Sequence, residues 1–189
     1  MKRLDLQHWA TTVFPQALPL AVAAGMALLA RSAMRPHGGW LPLAAFALAG
    51  LALWTLLEYL LHRFVLHGIE PFRTWHLQHH LRPEEPMRTP LLFSGLLLLA
   101  LVFAPMLAIS NQWLATGLAL GLLAGHVAQE IAHHALHTRP DADSHWLLRR
   151  FGQHRLHHLH YPEAAFGTLT AVWDHVFGTA APRGDKPGV

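Results

Sequence analysis

Three long stretches of the chain contain no charged side chain. Asp, Glu, Lys and Arg are absent from residues 6–30, 36–57 and 89–129, which are 25, 22 and 41 residues long. A helix needs about 20 apolar residues to cross the hydrocarbon core of a bilayer. The first two stretches each fit one crossing, and the third fits two with a turn near residues 110–112. We therefore predict transmembrane helices near residues 13–31, 40–62, 91–109 and 113–137.

The composition favours a membrane protein over a soluble one. Only 13% of the residues are charged and 52% are hydrophobic, whereas a soluble domain carries about 25% charged residues. The alternative is a soluble protein with buried helices, but such helices are normally amphipathic, and these segments are apolar on all sides. The sequence predicts an all-α protein, an integral membrane four-helix bundle formed by a single domain over residues 1–189.

Lysine and arginine are distributed unevenly between the two sides of this bundle. With four crossings, the N terminus, residues 62–90 and the chain after residue 137 share one side. That side carries 12 of the 14 basic side chains, and the other carries only Arg31 and Arg35. Because positive charge favours the cytoplasmic side, we expect a multi-pass protein with both termini in the cytoplasm. The basic residues form no dense run, so nucleic-acid binding is not expected.

Histidine is unusually common, at 17 of 189 residues. Fourteen of these lie between residues 62 and 80 or between residues 126 and 160, where the second and fourth predicted helices leave the membrane. The segments 62–80 and 130–160 are therefore expected to form a cytoplasmic, histidine-rich helical cap. Four boxes stand out: His62 and His67; His76, His79 and His80; His133 and His137; His154, His157 and His158.

The spacing within these boxes is typical of metal ligands. Residues at i, i+3 and i+4 share one helix face, and ten partly buried imidazoles would each need a polar partner if no metal were bound. Ten ligands exceed a mononuclear site, so a dinuclear centre is predicted, and imidazole suits iron, copper, zinc and nickel. Glu58 and Glu130, each about one turn before a box, are expected to orient metal-bound histidines.

The order HxxxxH, HxxHH, HxxxH, HxxHH resembles the fatty acid hydroxylase/sterol desaturase superfamily of membrane non-haem di-iron oxygenases. The similarity extends to Phe166-Gly167 and residues 173–179, which resemble the C-terminal GFG and WDxxFGT patterns of the fatty acid 2-hydroxylase branch. Residues 125–137 resemble its GYxxYDxxHYxLH pattern, with His126, Gln129, Glu130 and His134 departing from it. The resemblance covers roughly residues 40–180.

This resemblance implies a centre of two iron ions, with zinc competing for the site in purified protein. The implied ligands are His62, His67, His76, His79, His80, His133, His137, His154, His157 and His158. Asp174 joins Glu58 and Glu130 as a residue expected beside the ligands. His8, His37, His145, His160 and His175 match no box and are expected outside the centre. Arg149 and Arg150 are expected to face anionic lipid headgroups.

The implied reaction is O2-dependent hydroxylation of an aliphatic C–H bond in a membrane lipid, such as a fatty acyl or sphingolipid-like chain. Aliphatic C–H bonds need an oxidant made at a redox metal. Because no cytochrome b5-like sequence lies in these 189 residues, electrons are expected from a separate cytochrome b5-like or ferredoxin-like protein. Within the superfamily, sterol or carotenoid hydroxylation and desaturation remain open.

Two other classes of function are also open. A membrane zinc hydrolase would need only three ligands, and the sequence contains no HExxH motif. A metal transporter would be expected to place its ligands near the bilayer midplane, where the predicted helices carry no acidic residue. Both readings therefore fit the histidine boxes less well than the oxygenase.

Overall fold

The structure is a computed structural model that describes residues 39–83, 108, 112–138 and 145–182. Every regular element in this part of the chain is a helix, which confirms the all-α class for the described residues. In chain order these are α1 (Trp40–Leu60), a π-helix (Leu61–Leu66), α2 (Phe72–Leu81), α3 (Gln112–Thr138), α4 (His145–Leu159) and α5 (Val172–Val176).

Two of these helices are long and apolar enough to cross a membrane. The first span, Trp40–Leu66, consists of α1 and the π-helix, and the second, Trp113–His137, lies within α3. They cover two of the four segments for which the sequence predicts crossings. The other two, 13–31 and 91–109, fall outside the described residues apart from residue 108. The four-helix bundle and the cytoplasmic position of the cap therefore stay predictions.

The chain divides into two compact units. One contains Met1–Trp54 and Thr89–Val127, and the other contains Thr55–Arg88 and Ala128–Val189. All ten predicted metal ligands belong to the second unit. The single membrane-embedded domain over residues 1–189 stays a prediction.

In the first unit, glycines bring the backbones of α1 and α3 close together. A Cβ atom on Gly121 would collide with the carbonyl oxygen of Ala47, and one on Gly50 would collide with that of Leu118. Gly117 and Gly125 lie one turn before and after Gly121, and a Cβ on Gly125 would lie 2.6 Å from the Trp54 side chain. Small residues at four-residue spacing are a common means of close helix packing in membranes.

We expect Gly121→Val to destabilise the protein. The added side chain has no room beside the Ala47 carbonyl, and overpacking of this kind costs about 1–3 kcal/mol or more. Gly152→Ala is the control, since no atom of the described residues outside the nearby backbone of α4 lies within 4 Å of a Cβ at Gly152. Thermal unfolding in one detergent should show a lowered midpoint for Gly121→Val only, whereas equal midpoints would contradict the close packing.

Candidate metal centre

The ten predicted ligands come together in two groups of five in the second unit. Within each group, one nitrogen from every ring lies within 4.8 Å of the others. Cluster A consists of His62, His67, His76, His80 and His157. Cluster B consists of His79, His133, His137, His154 and His158. The clusters touch, because the rings of His80 and His158 stack with centroids 4.2 Å apart.

The π-helix explains how the first box reaches one site. Five residues of α-helix would leave His62 and His67 about 140° apart around the axis. In the structure, the backbone N–H of His67 instead donates to the carbonyl oxygen of His62 at 3.2 Å, the i→i+5 bond of a π-helix. This wider turn brings both rings into cluster A, with ring centroids 5.1 Å apart.

The two HxxHH boxes each divide between the clusters. In α2, His76 and His80 are one turn apart and both enter cluster A, while His79 enters cluster B. In α4, His157 enters cluster A, and His154 and His158 enter cluster B. In α3, His133 and His137 occupy i and i+4 and both enter cluster B. The sequence predicts the shared helix faces, but this division depends on how the helices pack.

In cluster A, the ring nitrogens face one another at short distances. Nε2 of His76 lies 2.9 Å from Nε2 of His62 and 3.0 Å from Nε2 of His80. Nε2 of His67 lies 3.2 Å from Nε2 of His157. Since a neutral imidazole carries one proton on two nitrogens, a ring that donates through Nδ1 turns a lone pair towards its neighbours through Nε2.

Cluster B repeats this arrangement. Nε2 of His133 lies 3.2 Å from Nε2 of His79 and 3.1 Å from Nε2 of His137. Nε2 of His137 lies 3.0 Å from Nε2 of His154. Neither ring nitrogen of His158 has a hydrogen-bond partner among the described residues, although both are buried. Facing lone pairs and buried, unpartnered nitrogens suit a cation between the rings, so the donor set fits a metal ion in each cluster.

Burial favours the uncharged form of three ligand rings that lie outside the membrane-spanning helices. Burial lowers the pKa of His157 to about 4 and that of His80 to about 3. Burial, followed by the charge of Arg73, lowers the pKa of His67 to about 4. Neutral imidazole is the form that coordinates metals, so these surroundings favour coordination.

A loop after α4 holds two rings of cluster A. Nδ1 of His62 donates to the carbonyl oxygen of Phe166 at 2.6 Å, and Nδ1 of His157 donates to that of Ala164 at 2.7 Å. A carbonyl oxygen only accepts, so both rings carry their proton on Nδ1 and present the Nε2 lone pair to cluster A. The motif Phe166-Gly167 indicated that this loop matters. The sequence did not predict its contacts with the histidines, because they are made by backbone carbonyl groups, which every residue has.

Two of the predicted carboxylates bind this loop. Glu58 Oε1 accepts from the backbone N–H of Thr168 at 2.6 Å and from that of Leu169 at 3.2 Å. Asp174 accepts from the backbone N–H groups of Phe166 and Gly167 at 2.8 and 2.9 Å. These carboxylates therefore contact the loop that contacts the histidines. The third, Glu130, lies half-buried in α3 one turn before His133.

The remaining sequence-based expectations have mixed outcomes. His134, His145, His160 and His175 are exposed and belong to neither cluster, while His8 and His37 lie outside the described residues.

The expectation that Arg150 faces lipid headgroups is wrong. Its side chain is 8% exposed, and its Nη1 donates to the carbonyl oxygen of Gly167 at 3.3 Å.

The match to a family model identifies the protein family of this chain. The model described as fatty acid hydroxylase matches residues 47–179, which is most of the chain. The chain belongs to the fatty acid hydroxylase family. The match includes both histidine clusters and the loop after α4.

Individual relatives agree with this family. The fatty acid 2-hydroxylase of Rattus norvegicus is 30% identical over 150 residues, which cover 73% of this chain and 40% of that protein. The dihydroceramide fatty acyl 2-hydroxylase FAH1 of Arabidopsis thaliana is 32% identical over 154 residues, covering 72% and 62%. A structure of full-length scs7p, in which only the hydroxylase domain is visible, superposes with a TM-score of 0.72 at 26% identity, covering 92% and 66%. The chain thus spans about two fifths of the rat relative.

Proposed function

We propose that this protein is a membrane-bound, O2-dependent hydroxylase that acts on an aliphatic C–H bond of a lipid. The observation that carries this proposal is the gathering of ten imidazoles into two adjoining clusters of five. A zinc hydrolase needs three ligands and one open position, and would leave most of these side chains without a role. Membership of the fatty acid hydroxylase family supports the oxygenase.

We assign one iron ion to each cluster, with zinc as the competing metal in purified protein. All ten gathered donors are imidazole nitrogens, which suit iron and zinc alike. Bound iron supplies the redox chemistry with O2 that cleavage of an aliphatic C–H bond requires. The overall balance is substrate, O2, two electrons and two protons giving an alcohol and water. A cytochrome b5-like or ferredoxin-like donor is proposed to supply the electrons.

The chain's own residues bury and orient rings of the site. His157 is 0% exposed and His76 is 2% exposed, so bulk water is excluded from both rings. The carbonyl oxygens of Ala164 and Phe166 fix the protons of His157 and His62 on Nδ1. Each ring therefore keeps one orientation and one protonation state, which is the pre-organisation that a metal site requires.

The substrate is proposed to be a fatty acyl chain, either free or in a ceramide-like lipid. The relatives from rat and Arabidopsis are named for fatty acid and dihydroceramide fatty acyl 2-hydroxylation, which favours an acyl chain over a sterol or a carotenoid. Such a substrate is already dissolved in the bilayer, and we expect it to reach the site sideways from the membrane.

A topology experiment checks the proposed arrangement of four crossings with a cytoplasmic cap. We expect a reporter fused after Val189 to be active only if it is of the cytoplasmic type, because 12 of the 14 basic side chains lie on the side assigned to the C terminus. A second fusion at residue 37, between the first two predicted helices, should give the opposite result. Activity of a periplasmic or luminal reporter after Val189 would overturn the orientation.

Labelled oxygen tests the reaction itself. Cells that express the protein are grown under oxygen-18, and their acyl chains are analysed by mass spectrometry. We expect a hydroxylated acyl chain whose new oxygen comes from O2, and none in cells that express His154→Ala at an equal level. A new hydroxyl oxygen that comes from water would contradict the oxygenase.

A further inference from the structure

The loop after α4, residues 160–171, is held by two buried carboxylates from different parts of the second unit. Asp174, in α5, accepts from the backbone N–H groups of Phe166 and Gly167 and from the Thr179 hydroxyl, which lies 2.9 Å away. Glu58, near the end of α1, accepts from the backbone N–H groups of Thr168 and Leu169. Asp174 is 1% exposed and Glu58 is 3% exposed. Four successive backbone amides of the loop are thus fixed by two side chains.

The loop also has little freedom to move. A Cβ on Gly167 would collide with the carbonyl oxygen of Thr170 and lie 2.9 Å from Asp174 Oδ2. Ala165, between the two carbonyl groups that bind histidines, has φ of 56°, in the left-handed region that non-glycine residues rarely adopt. The backbone N–H of Ala165 donates to the carbonyl oxygen of Thr179 at 2.8 Å. A strained residue persists only where its surroundings fix it.

The two clusters differ in how they depend on this loop. The two rings that donate hydrogen bonds to the loop carbonyl groups, those of His62 and His157, both belong to cluster A. Cluster A also takes His62 and His67 from the π-helix and its end. All five rings of cluster B come from the regular helices α2, α3 and α4. Helix backbones therefore position every ring of cluster B, whereas cluster A needs the loop.

We propose that Asp174 and Glu58 are positioning residues for cluster A alone, so that the two metal sites are held by different means and can be weakened separately. This inference rests on the proposed metal centre. The carboxylates fix the loop amides, the loop carbonyls fix the proton and the orientation of His62 and His157, and those two rings complete cluster A. Loss of either carboxylate weakens metal binding in cluster A and leaves cluster B unchanged.

Cobalt titration of the metal-free protein in detergent tests the proposal without measuring activity. Co²⁺ bound to histidine gives visible absorption, so the ions bound per chain can be counted. We expect two ions for the wild type. In Asp174→Asn, an amide group replaces one oxygen that accepts from a backbone N–H. One ion should then bind as in the wild type, and the other about 10–100-fold more weakly.

Paired variants show which cluster loses its ion. In a His137→Ala background, where only cluster A is intact, Asp174→Asn should weaken the remaining strong site. In a His67→Ala background, where only cluster B is intact, Asp174→Asn should change nothing. His175→Ala is the control, because this exposed neighbour of Asp174 bonds only to the carbonyl oxygen of Ala171 among the described residues. It should bind both ions as the wild type does.

Circular dichroism of each metal-free variant separates a local effect from unfolding. If Asp174→Asn lacks the helical signal of the wild type, Thr179→Val takes its place, because it removes one of the donors to Asp174 and keeps the carboxylate. Equal weakening of both ions in a folded variant, or no weakening of either, would overturn the inference. If one ion binds more weakly than the other in Asp174→Asn but the wild-type protein makes no hydroxylated lipid, the proposed function is wrong and this inference stands.

Discussion

Replacing His157 by alanine is expected to abolish lipid hydroxylation, with a fall in product of about 10³-fold or more. His157 is fully buried and lies in cluster A. Its Nδ1 donates a hydrogen bond to the carbonyl oxygen of Ala164, and its Nε2 lies 3.2 Å from Nε2 of His67. Loss of this ring removes one ligand from the metal site. The expected fall in rate corresponds to a loss of about 4 kcal/mol in transition-state stabilisation, which is about three powers of ten.

The measurement is hydroxylated acyl chain per amount of membrane-inserted protein, determined by mass spectrometry. His160→Ala is the matched control, since this side chain lies just after α4, is exposed and belongs to neither cluster. It should retain most of the wild-type activity. Substantial activity in His157→Ala would show that His157 is not a required ligand. The proposed ligand set of cluster A would then be incorrect.

Replacing Glu58 by alanine should lower the free energy of unfolding by about 3–5 kcal/mol. The carboxylate accepts from the amides of Thr168 and Leu169, at 2.6 and 3.2 Å. Alanine leaves both amides without their acceptor, and a buried donor without a partner costs about 1–3 kcal/mol.

Unfolding of the metal-free protein in detergent, followed by circular dichroism, gives this value. Metal-free protein is needed because metal bound only to the folded state would add its own stabilisation. Glu163→Ala is the control, since Glu163 is an exposed carboxylate in the loop after α4, and exposed substitutions normally change stability by about 0.5 kcal/mol or less. If the two variants unfold alike, Glu58 does not support the loop.

Much of the site was predictable because histidine spacing on a helix is a local property. The i, i+3 and i+4 positions of the second, third and fourth boxes require only that the segments are helical, and the structure places them on α2, α3 and α4. The first box was harder, since its spacing of five fits no α-helical face. Only the π-helix at Leu61–Leu66 brings His62 and His67 together.

Features that depend on contacts distant in sequence were not predictable from pattern. Glu58 was singled out because it lies one turn before His62, yet its hydrogen bonds reach amides 110 and 111 residues away. Arg150 was assigned to lipid headgroups together with Arg149, whereas the structure buries it against Gly167. The close packing at Gly121 follows from where two helices meet, which the apolar composition of each helix does not specify.

Metal analysis tests the central claim most directly. The protein is purified in detergent from cells grown in iron-replete medium, and its metal content is measured together with Mössbauer spectra of the iron-57 enriched protein. Two adjoining clusters of five imidazoles predict about two iron ions per chain, magnetically coupled to each other. A single tightly bound zinc ion, with no iron taken up under any loading condition, would contradict the di-iron hydroxylase.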